Sequence, residues 1–167
     1  MKKFLRFFFL SALLFTSACG YKVQGLTTKN TDSVLGDGSK TVAITKIEDP
    51  SLYPWVNYYV TNLFHTEMNM RRLAKWENKD KADYTIEVIM PRFESRSFLN
   101  DETDRTLLST IYIEMEVTVR NSVTNEVWRS GVLSASEYFD NMNEESAVRE
   151  NLSELIYDIF NAMENNF

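Results

Sequence analysis

One cysteine and one histidine in 167 residues remove whole classes of chemistry. Cys19 cannot close an internal disulfide, and His65 offers no second ligand with which to build a metal cluster. Around His65, set between Phe64 and Thr66, no nucleophile, base and orienting group can be named; it reads as a packing or surface residue. Catalysis is therefore not expected. Basic residues are scarce as well, with 18 against 24 acidic and a formal charge of −6. Nucleic-acid binding rests on a basic footprint that this chain lacks. There is no internal repeat and no low-complexity tract. Beyond the N-terminus, no apolar run approaches the roughly 20 residues that a bilayer-spanning helix needs.

What the N-terminus does hold is ordered. Lys2, Lys3 and Arg6 precede an apolar run over 7–15, broken only by Ser11 and Ala12, and small residues lead to Cys19. Charged, apolar and small segments in that order describe a secretory signal peptide, too short to remain as an anchor, so residues 1–18 are expected to be removed. Thr16-Ser17-Ala18-Cys19 resembles the lipobox of bacterial lipoproteins, although leucine is usual where Thr16 stands. The resemblance implies that Cys19 is the lipid attachment residue, carrying an S-diacylglycerol and an N-acyl (palmitate-type) chain. No catalytic residue, metal or other cofactor is expected. The alternative is a secreted protein with a stray thiol. One myristoyl-sized chain binds a membrane reversibly, with K on the order of 10⁴ M⁻¹, so three chains would hold the protein permanently. Gly20 follows in place of the Asp that would resemble an inner-membrane retention signal, which implies the outer membrane, periplasmic side.

Loss of the three leader cations moves the formal charge from −6 to −9. The remaining chain, roughly 150 residues, suits one domain with a sizeable core. Residues 19–40 read as the lipidated N-terminus and a linker, since 27–40 is polar and includes Gly36 and Gly38. Residues 41–167 read as a single domain.

Within that domain a first strand is expected over 41–47, then turn material at Glu48-Asp49-Pro50-Ser51. A helix should start near Pro54 and stop by Trp76, with Val56, Tyr59, Val60, Leu63, Phe64 and Met68 on one stripe and Arg71-Arg72 near its end. Residues 77–81 form a connection. A second strand from Ala82 places Tyr84, Ile86, Val88 and Met90 on one face. Pro91 cannot donate to a ladder, so a bulge there should swap the faces, turning Phe93 inward and Arg92, Glu94 and Arg96 outward. After a polar loop over 100–105, the third strand, 108–120, alternates Ile111, Ile113, Met115, Val117 and Val119 with Tyr112, Glu114, Glu116, Thr118 and Arg120. That pattern requires one wet sheet face.

A turn over 121–125 leads to a fourth strand, 126–138, without clear alternation. The last helix should begin after Asn143, a good cap followed by Glu144 and Glu145, and bury Val148, Leu152, Leu155, Ile156, Ile159 and Met163. The order β-α-β-β-β-α predicts an α+β, two-layer sandwich: two helices packed on one face of a four-stranded mixed sheet. If the first two strands are parallel, the crossover between them should be right-handed.

Candidate contacts are few. Trp55 and Tyr58 stand between interface and packing roles, as does Trp128, while Tyr59 falls on the core stripe. Glu144-Glu145, or Glu114 with Glu116, could meet a cation, but solvated faces explain them better. Arg92, Arg96 and Arg105 surround the tip between the second and third strands and could reach lipid phosphates. Glu94, Asp101, Glu102 and Asp104 outnumber them, which favours a mixed-charge loop.

Taken in order, Cys19-Gly20-Tyr21-Lys22-Val23-Gln24-Gly25, Thr41-Val42-Ala43-Ile44, Leu63-Phe64, Ala82-Asp83-Tyr84-Thr85-Ile86, Asn125-Glu126-Val127-Trp128-Arg129 and Ser134-Ala135-Ser136-Glu137-Tyr138 resemble the LPS-assembly lipoprotein family LptE. Glu48-Asp49-Pro50-Ser51 departs from the polar turn often found there. The resemblance implies the same two-layer fold and an outer-membrane lipoprotein that plugs the β-barrel LptD and assists lipopolysaccharide insertion into the outer leaflet. Its partners would be that barrel, lipopolysaccharide and the membrane, with Arg92, Arg96 and Arg105 as candidate contacts. A polar plug suits a polar barrel lumen. The alternative is a stand-alone lipid-carrying or accessory periplasmic lipoprotein, which as a carrier would need an apolar cavity for acyl chains.

Overall fold

The computed structural model describes residues 33–100, 106–140 and 143–165. The signal segment, Cys19 and Arg105 lie outside the described residues. Strand β1 (Thr41–Glu48) is followed by helix α1 (Val56–Arg71), the two-residue β2 (Lys75–Trp76), β3 (Tyr84–Asn100) and β4 (Thr106–Asn121). Then come β5 (Val127–Arg129), β6 (Leu133–Phe139) and helix α2 (Glu144–Asn165). The sheet runs β2-β1-β3-β4, with β5 and β6 both pairing with β4. β1 is parallel to β2 and β3, and the remaining pairs are antiparallel, so the sheet is mixed and open.

The architecture is the α+β two-layer one expected, with two helices on one sheet face, but the sheet has six strands instead of four. Two local events account for the difference. α1 stops at Arg71 because Arg72 takes a left-handed conformation (φ 55°), its N–H bonding back to the last turn of the helix. Buried Leu73 and Ala74 then turn the chain so that Lys75 and Trp76 pair with Thr41 and Val42, and Trp76 ends in a strand instead of a helix. The helix also begins at Val56 and not at Pro54, which sits in the preceding turn.

The second event divides the expected fourth strand. Thr118 faces Arg129 whereas Met115 faces Leu133, so three residues oppose two at Ser130-Gly131-Val132. Gly131 supplies the positive φ (71°) of this bulge, and Ser130 closes it by donating its N–H to the Val117 carbonyl and accepting the Val117 N–H on Oγ, both at 3.0 Å. The inward positions shift from Trp128 to Leu133, Ala135 and Phe139 across it.

The bulge expected at Pro91 is present. Ile89 pairs with Glu116 and Arg92 with Glu114, leaving Met115 opposite both Met90 and Pro91. Met90 is buried, Pro91 exposed, and Phe93 packs against the core. One core joins the inner sheet face, from Val42 through Ile86, Val88, Ile113, Met115 and Val117, to Val60, Phe64 and Met68 of α1 and Leu152, Ile156 and Met163 of α2. Phe64 and Phe160 bring the helices together with ring centroids 5.4 Å apart. Arg71 ties their ends, reaching Glu67 at 2.8 Å and Glu164 at 2.6 Å. Asn143 opens α2 through its carbonyl, which accepts the Ala147 N–H, while its side-chain amide donates to Asp140.

Folded structure also extends back before Thr41. Leu35 is fully buried in the core and the Val34 N–H donates to the Met163 carbonyl at 3.0 Å. The last part of the segment read as a linker is thus docked on α2.

Candidate functional site

The outward face of β3, β4 and β6 is assembled by two registers. β3 against β4 sets Arg92 beside Glu114, Glu94 beside Tyr112 and Arg96 beside Thr110. β4 against β6 continues these rows to Ser134, Ser136 and Tyr138. The face swap at Pro91 is what puts the two arginines and Glu94 on this side of the sheet. Between them lies an open recess of ≈ 420 Å³ lined by Arg92, Glu94, Arg96, Thr110, Tyr112 and Ser136.

Its charges are paired within the face. Arg92 holds Glu94 in a fork, Nε to Oε1 at 2.8 Å and Nη2 to Oε2 at 3.1 Å, and its Nη1 lies 3.8 Å from Glu114. Arg96 meets the same Glu94 at 2.5 Å. The Arg92 guanidinium lies over the Tyr112 ring, 4.9 Å from its centroid, and the Tyr112 hydroxyl donates to Glu114 at 2.8 Å. Hydrogen bonding from Arg92, with the positive charges of Arg92 and Arg96, holds the Glu94 carboxyl below its ordinary range. The bond to Glu94 in turn raises Arg92 above its ordinary value.

Arg92 and Arg96 are therefore brought together as the sequence indicated, but as members of a balanced network of two cations and two anions, in keeping with the mixed-charge reading. Arg105 falls outside the described residues. Tyr112 was visible only as an outward position of a strand, and Glu114 as such a position and as one of a carboxylate pair with Glu116. Thr110 and Ser136 carried no signal for this site, because only the pairing register brings them to the recess.

The aromatic candidates take other places. Tyr53, Trp55 and Tyr59 form a row with centroid separations of 5.9 Å, and Tyr53 also meets Phe93 at 5.6 Å. Arg149 from α2 caps the row, over Trp55 at 4.4 Å and Tyr59 at 4.5 Å. Burial first, then a hydrogen bond to Glu144, pushes the Tyr53 phenol up to about 12. Trp55 is thus committed to packing, whereas Tyr58 is 72% exposed. Trp128 packs against the core edge. His65 stacks on Trp76 with centroids 3.8 Å apart. Among the described residues no group of three or more His, Cys, Asp or Glu could hold a metal ion, and no helix is long and apolar enough to cross a membrane.

Comparison with known proteins gives a fold and no family. No family model matches the sequence, and no curated protein does. Among solved structures, the chain is similar to the rare lipoprotein B from Shewanella oneidensis, with a TM-score of 0.53 and 10% identity over 75% of this chain and 95% of that one. It is likewise similar to the uncharacterized lipoprotein B from Nitrosomonas europaea, with a TM-score of 0.51 and 15% identity over 72% and 79% of the two chains. At these identities the likeness is one of architecture: the two-layer fold described above is one that solved bacterial lipoproteins also adopt.

Proposed function

We propose that the chain is a lipoprotein tethered through Cys19 to the periplasmic side of the outer membrane, where it plugs and supports the lipopolysaccharide-transport barrel LptD and assists insertion into the outer leaflet. It works as a structural subunit and not as a catalyst. Support comes from the lipobox-like ending at Cys19, the ordered resemblance to the LptE family and the fold shared with bacterial lipoproteins. The observation that carries the reading is the hydrogen-bonded polar face of β3, β4 and β6, a surface suited to the polar interior of an outer-membrane barrel.

A plug is favoured over a carrier because the space between sheet and helices is filled. Phe64, Met68, Ile86, Ile113, Met115, Leu152 and Phe160 are all fully buried there. Charged residues line the recess on the sheet face, as they do those at Glu48-Asp49 and at Glu77 and Lys79, and none of the three is an apolar chamber for acyl chains.

Photo-crosslinkers at Ser134 and Ser136, with Asn62 on the outer side of α1 as control, test the surface in intact cells. The barrel should be captured from the two sheet positions and not from Asn62. Capture from the helix alone, or normal surface lipopolysaccharide in cells lacking the protein, rejects the reading. Intact mass of the membrane-extracted chain should show the three acyl chains on Cys19.

A further inference from the structure

β1 is paired along only part of its outer side. β3 matches it from Val42 to Glu48 on one edge, whereas on the other, among the described residues, Lys75 and Trp76 of β2 meet Thr41 and Val42 and nothing pairs with it beyond them. We propose that residues 21–26 of the same chain add to the open edge over 43–48 as an antiparallel strand, which fixes where the lipidated N-terminus leaves the domain. The pairing stands apart from the barrel reading; the place of the anchor rests on the lipidation of Cys19 proposed above.

The edge is built as a groove. Asn57, Thr61 and His65, at every fourth position of α1, flank it and line two recesses along β1. One, of ≈ 400 Å³, lies over Ile44 beside the His65–Trp76 stack, and the other, of ≈ 470 Å³, lies over Ile47 and Asn57. Ile44 and Ile47 are half-buried at the rim of the core. They oppose Ile86 and Val88, alternate residues of β3, because a bulge takes up Thr45. The recesses therefore repeat at the two-residue spacing of a strand, the open backbone supplying a ladder and the recesses taking alternate side chains.

Tyr21-Lys22-Val23-Gln24 has that spacing, with Tyr21 and Val23, both good strand formers, at alternate positions. The reach fits as well. Ser33 stands beside the end of α2, since the Val34 N–H donates to the Met163 carbonyl; Arg71 joins that end to α1 through Glu164, and Trp76 follows α1 closely. Two steps of the 8–10 Å spacing between packed elements come to roughly 20 Å, and the seven residues from Leu26 to Ser33 span up to about 23–25 Å. Leu26 must then lie at the Trp76 end and Tyr21 at the Glu48 end, opposite in direction to β1. Cys19 would leave the domain near Leu52 and Tyr58, which are 95% and 72% exposed. A second copy is the poorer occupant. The bulge and the paired charges of Lys46 and Glu48 blunt this edge against other chains, whereas a tethered segment acts at an effective concentration on the order of millimolar.

Hydrogen exchange on the full lipidated chain in detergent micelles tests the ladder. The edge amides within 43–48 should exchange about tenfold faster in Val23→Pro than in the parent, the factor that 1.4 kcal/mol of opening free energy supplies, while those over 111–119 of β4 stay unchanged. Val23→Thr, which keeps both the β-branch and the N–H, should exchange as the parent does. Photo-crosslinkers at Tyr21 and at Leu26, mapped by mass spectrometry, should mark 47–57 and 76–79 respectively. Equal exchange in the parent and Val23→Pro, or crosslinks in the reverse order or to other parts of the domain, overturns the proposal. Crosslinks between isotopically distinct copies, or edge protection that rises with protein concentration, overturns it in favour of a second copy. Protection and crosslinks without acyl mass on Cys19 would keep the pairing and reject the anchor; acylation without them would do the reverse.

Discussion

Gly38 lies against the backbone of Arg72 so closely that a Cβ on it would stand 2.4 Å from the Arg72 carbonyl oxygen. Both residues are left-handed, Gly38 at φ +79° and Arg72 at φ 55°. The contact joins the segment that docks Leu35 to the turn that ends α1. Gly36 has a similar φ of +81° but open space around it. Gly38→Ala should therefore cost clearly more stability than Gly36→Ala, which carries only the conformational term of about 1 kcal/mol. Urea midpoints of the two variants decide it. Equal losses would mean that the Gly38 approach can relax freely.

Met115 of β4 and Leu155 of α2 face the same core and are 0% and 2% exposed. Truncating either to Ala should cost roughly 2–5 kcal/mol, the range for buried aliphatic side chains that leave a cavity. Chemical denaturation measures this directly, and near-zero shifts at both positions would contradict the facing of sheet and helix.

Asp83 locks the starts of β1 and β3 together. Its Oδ2 accepts the Thr41 N–H at 2.9 Å and the Thr41 hydroxyl at 3.1 Å, while its own N–H donates to that hydroxyl oxygen at 3.0 Å. The backbone bond first, and the side-chain bond second, hold the carboxyl below its ordinary value. The folded state thus binds fewer protons, and the stabilisation is present above the unfolded value of about 3.9 and disappears as pH falls through the folded one. Comparing Asp83→Asn with the parent by thermal melts should show a gap at neutral pH that closes in acid. A gap independent of pH would rule out the carboxylate as its source.

What the sequence made legible follows the strength of its periods. Residues 111–119 alternate without a break, and α2 carries a continuous stripe from Val148 to Met163, so both were readable. The Pro91 bulge was also readable, since a residue without an N–H cannot sit in a regular ladder. Gly131 hid the division between β5 and β6 because its bulge moves the inward parity from even Trp128 to odd Leu133, Ala135 and Phe139, so the alternation cancels. β2 is too short to have a period, and Leu35 lies with buried Ser33 and half-buried Val34 in a patch of only three residues within a polar string. The recess depends on two strand registers that connect residues far apart in sequence. For that reason Arg92 and Arg96 could be named and their partners across the sheet could not.

His65 lies nearly flat on Trp76, with 24° between the ring planes, and burial there lowers its pKa. The unfolded chain therefore binds the proton more readily, and the stabilisation from a neutral His65 is complete above about 6.5 and declines as pH drops below it. As the sole histidine, it should give one isolated imidazole signal by NMR, titrating below the ordinary midpoint. The buried Trp76 Nε1 has no hydrogen-bond partner among the described residues. Trp76→Phe should then keep the lowered midpoint at little or no cost in stability, because it retains an aromatic cover and removes an unsatisfied donor. Trp76→Ala should uncover the imidazole and return the midpoint toward about 6.5. An unshifted midpoint in the parent chain, or one indifferent to Trp76→Ala, would separate the titration of His65 from this stack.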